Sequence, residues 1–272
     1  MNGVIMKSSS DKMHIAFLLP DQGAYGGARQ YMCTMLQSLP PEVHATIIIP
    51  DGPLERVLSG FTDDCLIYPS PRRNPLENPL RPIDKPFEGI TIETSARLEP
   101  EKDLSLLLEA VANVARQTRV RLIIAGEGSL RESLEKQASS LGINACFLGF
   151  VPDIARRMSS WDIFCLPSYR EPFGFSIAEA MANGLPVVAA RAGGPQEIVD
   201  DGHTGLMFQP GDKDALAGAL LSLCRDRERR ASMGNAGREK YERCFCAEAM
   251  ANATLDVFRE AACRRGLRKS DA

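Results

Sequence analysis

Ile163-Phe-Cys-Leu166-Pro-Ser-Tyr-Arg-Glu171-Pro-Phe-Gly-Phe-Ser-Ile-Ala-Glu179-Ala-Met-Ala-Asn-Gly184-Leu-Pro186-Val-Val-Ala-Ala190 is the stretch that decides the fold. Four consecutive apolar residues at 163–166 read as a strand buried on both faces. A helix begins near Phe175. Gly184 and Pro186 stop that helix and open a second buried strand at 186–190. Two buried strands joined through a helix form a parallel unit, because parallel neighbours need a crossover.

The same alternation extends toward the N-terminus. Ile90–Ser95 and Val120–Ala125 read as strands, Lys102–Gln117 and Ser129–Leu141 as helices, and Ala145–Leu148 as a further strand. Leu104, Leu107, Leu108 and Val111 lie on one face of the first helix. The segments 212–225, 227–242 and 246–262 have helical patterns. Residues 89–262 therefore predict an α/β domain, a parallel sheet covered on both faces. Upstream, residues 1–12 read as a polar, frayed end. His14–Pro20 and Ala45–Pro50 read as buried strands flanking the loop Gly23, Gly26, Gly27 and a helical pattern over 28–39. Residues 13–68 thus predict a partial β-α-β unit. Beyond Cys65–Tyr68 come Pro69, Pro71, Pro75, Pro79, Pro82 and Pro86, a proline-rich linker over 69–88.

The totals exclude several classes. With 272 residues, 44% apolar, 25% charged and a net charge of -3, the chain has the composition of a soluble globular protein. It lacks the basic balance of a nucleic-acid binder. Arg264, Arg265, Arg268 and Lys269 fit a solvated helix end better than a weak contact with anionic lipid. The eight cysteines are scattered, with no Cys-x-x-Cys and no zinc spacing, so no metal site is expected. Reduced thiols in a cytoplasmic protein fit best. Ile15–Leu19 is too short for a signal-peptide core, and no segment approaches a membrane span.

In an open parallel sheet, ligands bind beyond the carboxyl ends of the strands. After strand 90–95, Arg97 and Lys102 supply two cations that suit a diphosphate; two exposed surface cations fit equally well. After strand 120–125, Gly126-Glu-Gly128 lets backbone approach a ligand or makes a tight turn. Gly149-Phe-Val151 lines a base pocket or closes the core. Before the helix at Phe175, the amides of Phe173, Gly174, Phe175 and Ser176 stand where free N–H groups and the helix dipole favour an anion. Glu179, one turn in, can accept from ribose hydroxyls. Ser176-Ile-Ala-Glu179 also fits a capping box, in which Glu179 serves its own helix. Glu171 is an acid near the site or simply an exposed loop acid. His203 reads as a turn residue.

Together these elements resemble the C-terminal half of the retaining glycosyltransferases of family 4, which have the GT-B architecture. Arg97-Leu-x-x-x-Lys102, Gly126-Glu-Gly128, Gly149-Phe-Val151, Glu171-Pro-Phe-Gly-Phe175, Glu179-Ala-Met-Ala-x-Gly184 and Gly193-Gly194 carry the resemblance, in the family's order. It implies that Arg97 and Lys102 bind a donor diphosphate, that Glu179 holds the ribose, that Glu171 lies near the transferred sugar and that the loop after Gly149 contacts the base. It implies hexose transfer from a nucleoside-diphosphate sugar to a glycan or lipid-linked acceptor, with retention and without an obligatory metal or other cofactor. The loop at Gly26 and Gly27 resembles the opening of the family's acceptor domain. A Rossmann-type half needs on the order of 120–150 residues. Here about seventy-five precede Gly89, implying a deletion near Gly60–Asp63. An incomplete sheet would expose an edge and invite oligomers. Two other classes compete: a non-catalytic sugar-nucleotide-binding module, and a dinucleotide enzyme using Gly23–Gly27 and Asp51, whose spacing departs from the fingerprint.

Overall fold

The computed structural model describes residues 4–9, 12–18, 35, 36, 38, 39, 43–50, 64–68, 87–151, 154–158 and 160–264. The chain divides into two compact units: residues up to Leu76 together with those from Cys244 onward, and Glu77–Arg243.

In the first unit, β1 (Val4–Ser9), β2 (Lys12–Leu18), β3 (Val43–Pro50) and β4 (Asp64–Tyr68) form a sheet in that order. β2, β3 and β4 are parallel, and β1 runs antiparallel to β2 with Ile5 opposite Ala16. The frayed end expected over residues 1–12 is therefore corrected. Val4-Ile-Met6 is an apolar, β-favouring run, and only two residues separate β1 from β2, so a hairpin partner is at hand. Of the helix expected over 28–39, Met35 and Leu36 are helical and buried. Gly26, Gly27 and the proline-rich stretch 69–86 lie outside the described residues.

In the second unit the strands are β5 (Ile90–Ser95), β6 (Val120–Ala125), β7 (Ala145–Gly149), β8 (Ile163–Leu166), β9 (Val187–Ala190) and β10 (Gly205–Phe208). All pair in parallel, in the order β10-β9-β8-β5-β6-β7. The described helices are α1 (Leu104–Ala115), α2 (Arg131–Leu141), α3 (Ile154–Met158), α4 (Phe175–Ala182), α5 (Pro195–Ile198), α6 (Lys213–Arg225) and α7 (Arg227–Cys244); α8 (Ala247–Arg264) follows. None among the described residues is long and apolar enough to cross a membrane.

Alternation along the strands sorts the core. Ile92, Leu122, Ile124, Ile163, Cys165 and Val188 point to one face and pack with Leu104, Leu107, Leu108 and Val111 of α1 and Leu216, Leu220 and Leu223 of α6. The opposite face, with Ile123, Phe164 and Val187, is covered where α4 packs on β8 and β9. The chain runs β5, β6, β7 in one direction, then places β8 on the other side of β5. That reversal is a topological switch point, where the loops after β5 and β8 part and leave a crevice.

α1 starts at Leu104, later than the expected Lys102. Pro100–Lys102 form a 3-10 turn, and Asp103 follows with φ +48, which breaks the helical path between them. α7 is polar on most sides, yet Gly234 is buried against the turn that ends α4. A Cβ at Gly234 would lie 2.0 Å from the Gly184 carbonyl oxygen. Helix propensity favours Gly234→Ala by ~1 kcal/mol, but relieving the clash means shifting backbone. Gly234→Ala is expected to be net destabilising by on the order of 2 kcal/mol. Urea denaturation at neutral pH measures it; unchanged or increased stability would show that the helix does not need this close approach.

Candidate functional site

The loops after β5 and β8 meet at the switch point. Lys102 closes the first and Glu171 opens the turn in the second, and Lys102 Nζ donates to Glu171 Oε2 at 2.5 Å. Both side chains are only 13% exposed, so water screens the pair poorly. Tyr169 N donates to the Glu101 carbonyl at 3.2 Å, a second tie between the same loops. Arg97 does not join them. It is 72% exposed and paired with Glu101 at 2.7 Å, one helical turn along the chain. The structure thus brings together Lys102 and Glu171 and leaves Arg97 at the rim.

Glycines set the backbone around this pair. Gly126 has φ +137, and a Cβ there would lie 1.9 Å from the Ala96 carbonyl oxygen; one at Gly128 would lie 2.4 Å from that of Leu98. What passes close to these glycines is the neighbouring loop that carries Arg97. Leu98 N donates to the Glu127 carbonyl and Leu130 N to that of Leu98, both at 2.9 Å. Gly193 and Gly194 do the same for the second loop. Gly194 N donates to the Glu171 carbonyl at 2.9 Å, and a Cβ at Gly193 would lie 2.4 Å from that oxygen.

α4 begins where expected, but not with the expected cap. Its N-cap is Gly174 at φ +105, without a side-chain cap bond, and Ser176 is already the second helical residue. The capping box at Ser176–Glu179 is therefore not formed. Phe175 and Ser176 stand at the first two helical positions, where a helix supplies no acceptor of its own. The Phe173 and Phe175 rings stack tilted, centroids 4.8 Å apart, beside that amide end. Val151 is buried, and Phe150 is 40% exposed next to it.

Glu179 is half-buried on α4, and burial pushes its carboxyl above the ordinary range. Beneath it lies a residue that strand periodicity concealed. Glu93, in the middle of β5, is fully buried; desolvation chiefly, with the charge of Glu179, pushes its carboxyl up to about 8, against a hydrogen bond from Ser95. Ser95 Oγ donates to Glu93 Oε1. Among the described residues, the buried side-chain polar atoms without a partner are Glu93 Oε2, Thr94 Oγ1, Ser168 Oγ and Arg121 Nε. The first three sit on β5 or just past β8, the two strands that flank the switch point. An acid in the middle of a strand that pairs on both sides in a parallel sheet was the available sequence signal for Glu93.

The family model described as glycosyl transferases group 1 matches residues 81–240. The lipopolysaccharide core biosynthesis glycosyltransferase LpsE of Rhizobium meliloti is 31% identical over 204 residues, covering 74% of this chain and 57% of that one. The sulfoquinovosyl transferase of Arabidopsis thaliana is 39% identical over 152 residues, covering 54% of this chain and 29% of that one. The chain thus spans about half, or less, of these curated relatives. The crystal structure of Anabaena HepE in complex with UDP matches with a TM-score of 0.60 at 23% identity, over 79% of this chain and 64% of that chain.

The buried acid has a consequence for stability. A carboxyl raised from its usual 4.5 to about 8 contributes stability that is fully present below 4.5 and lost as pH rises through 8. Gln at position 93 is neutral throughout. The stability of Glu93→Gln relative to wild type is therefore expected to grow from about pH 4.5 to about pH 8 and then level. Urea unfolding of both proteins across that range measures the difference, and a difference independent of pH would mean Glu93 titrates normally.

Proposed function

We propose, because the chain belongs to the group 1 glycosyl transferases, that it transfers a hexose from a nucleoside-diphosphate sugar to a glycan or lipid-linked acceptor with retention of configuration, as the family 4 enzymes it resembles do. The observation that carries this is the position of Lys102 and Glu171 at the switch point, beside the N-terminus of α4.

Each group has a chemical task in that reaction. The diphosphate lies against the Lys102 ammonium and the α4 amides of Phe175 and Ser176, with Arg97 swinging in from the rim. These groups neutralise the charge that builds on the leaving diphosphate as the glycosidic bond breaks. Glu179 accepts from the ribose hydroxyls, Val151 and its loop face the base, and Glu171 lies beside the transferred sugar. That HepE was crystallised with UDP supports a uridine donor among the candidates. The acceptor side belongs to the first unit, where Gly26 and Gly27 resemble an acceptor-domain loop. Where nucleotide binds without transfer or hydrolysis of the sugar, the chain is a binding module instead.

Two measurements test this. A thermal-shift screen of nucleoside diphosphates and their sugars is expected to find at least one stabilising diphosphate, with the shift weakened in Lys102→Ala. No shift with any of them, for folded protein, removes the donor site. The second uses the ion pair. Glu171 and the diphosphate compete for one ammonium, so Glu171→Gln is expected to bind the nucleoside diphosphate about tenfold more tightly while transferring hexose more slowly. Calorimetry and a transfer assay read the two effects; equal or weaker diphosphate binding in Glu171→Gln contradicts the competition.

A further inference from the structure

Glu93 has no task in the proposed reaction, yet its placement is costly. β5 lies between β8 and β6, and Glu93 pairs in register with Phe164 and Ile123. Its side chain therefore shares the sheet face on which α4, and Glu179 with it, is packed. Of its two carboxyl oxygens, Oε1 accepts from Ser95 Oγ and Oε2 has no partner. An ionised carboxylate with an orphan oxygen at zero exposure is among the most expensive groups a fold can hold. The proton stays on Glu93 for that reason.

We propose that Glu93 is a positioning residue of the donor site: a buried neutral acid that lets Glu179, above it on α4, remain the ionised member of the pair and accept from the ribose. This rests on the ribose-side role given to Glu179 above. Two carboxyls in one poorly solvated region do not both ionise cheaply. Glu179 is half-buried whereas Glu93 is fully buried, so the charge belongs on Glu179 and the proton on Glu93. An ionised acceptor makes the stronger, charge-assisted bond to a hydroxyl.

The nearby titratable groups do not relieve Glu93. The Cys165 thiol on β8, which points to the other face of the sheet, is itself pushed up by burial and by Glu93, so it stays neutral. Arg121, on the same face of β6 one pair earlier, is turned away: its Nη2 donates to Thr91 Oγ1 and its guanidinium lies 4.9 Å from the Phe87 ring centre. When Glu93 loses its proton, a second negative charge arises under the seat of an anionic ligand. Binding is therefore full while Glu93 is neutral and falls as it ionises. By reciprocity, a bound diphosphate draws a proton onto Glu93.

The experiment is calorimetry with UDP, GDP and ADP on the full chain from about pH 7 to about pH 9.5, in two buffers of different ionisation enthalpy. Wild type is expected to lose about tenfold in affinity across that range, one unit of coupled titration, and to take up protons on binding near pH 8. Glu93→Gln is expected to bind with a flat profile and no uptake. The proton uptake is read on wild type alone, so the inference stays testable if the variant folds poorly. A merely structural acid would alter stability without moving either readout. If a nucleotide binds and wild type shows no uptake, or Glu93→Gln keeps the wild-type profile, Glu93 has no role in the site. If none of the three nucleotides binds, the donor site itself falls, and this assignment with it.

Discussion

At the carboxyl edge of the six-stranded sheet, backbone meets backbone with no side chain between. The carbonyls of Ala96 and Leu98 occupy the space where a Cβ at 126 or 128 would stand, and those of Glu171 and Phe173 do the same at 193 and 194. These contacts pin the loop after β5 to the loop after β6, and the loop after β8 to the loop after β9. Lys102 and Glu171 ride on the inner loop of each pair. Their separation is therefore set by main-chain packing, and the long flexible side chains only complete it. A single methyl group at any of these glycines moves a loop, and with it a charge.

This arrangement changes what the Lys102–Glu171 pair means. A partly buried ion pair is weak evidence for stability, because desolvation offsets much of the attraction. The large apolar core on the α1 and α6 face holds the unit together without it. The pair is two opposite charges held side by side at the switch point, their positions set by the backbone packing of the loops that carry them. Arg97 differs in kind. At 72% exposure its pairing with Glu101 is a surface contact of little energetic weight, so the guanidinium can leave it at small cost.

Much of the second unit was legible because a parallel sheet imposes a strong signal. Ile90–Ser95, Val120–Ala125 and Ile163–Leu166 are short runs rich in apolar and β-branched residues, and each is observed with the expected bounds. The failures have local causes. The start of α1 was misplaced because Asp103 takes a left-handed conformation that Asp tolerates but does not announce. The capping box was plausible as a string, but Gly174 turns the chain two residues earlier, so Ser176 falls inside the helix. β1 was hidden by a short apolar run in a polar end. That Lys102 and Glu171 are neighbours agrees with their place in the motif order; that Arg97 stands apart from them is a matter of side-chain direction, which spacing does not encode.

Glu93 was hidden for the opposite reason: the strand around it was too easy to assign. Period and hydrophobicity place Ile90–Ser95 in the sheet whether or not its fourth residue is an acid. A sheet tolerates such a residue only where the rest of its burial leaves a margin, and the apolar cluster on the opposite face supplies one. The location of the cost is informative. Thr94 Oγ1, also buried without a partner, lies next to Glu93 on β5, and Ser168 Oγ lies just past the end of β8. A fold selected for stability alone would satisfy or remove these atoms. Three of the four such atoms among the described residues lie along β5 or just past β8, beside a charge pair fixed by backbone contacts, a pattern expected where a sheet meets a polar ligand and not where its edge merely closes a core.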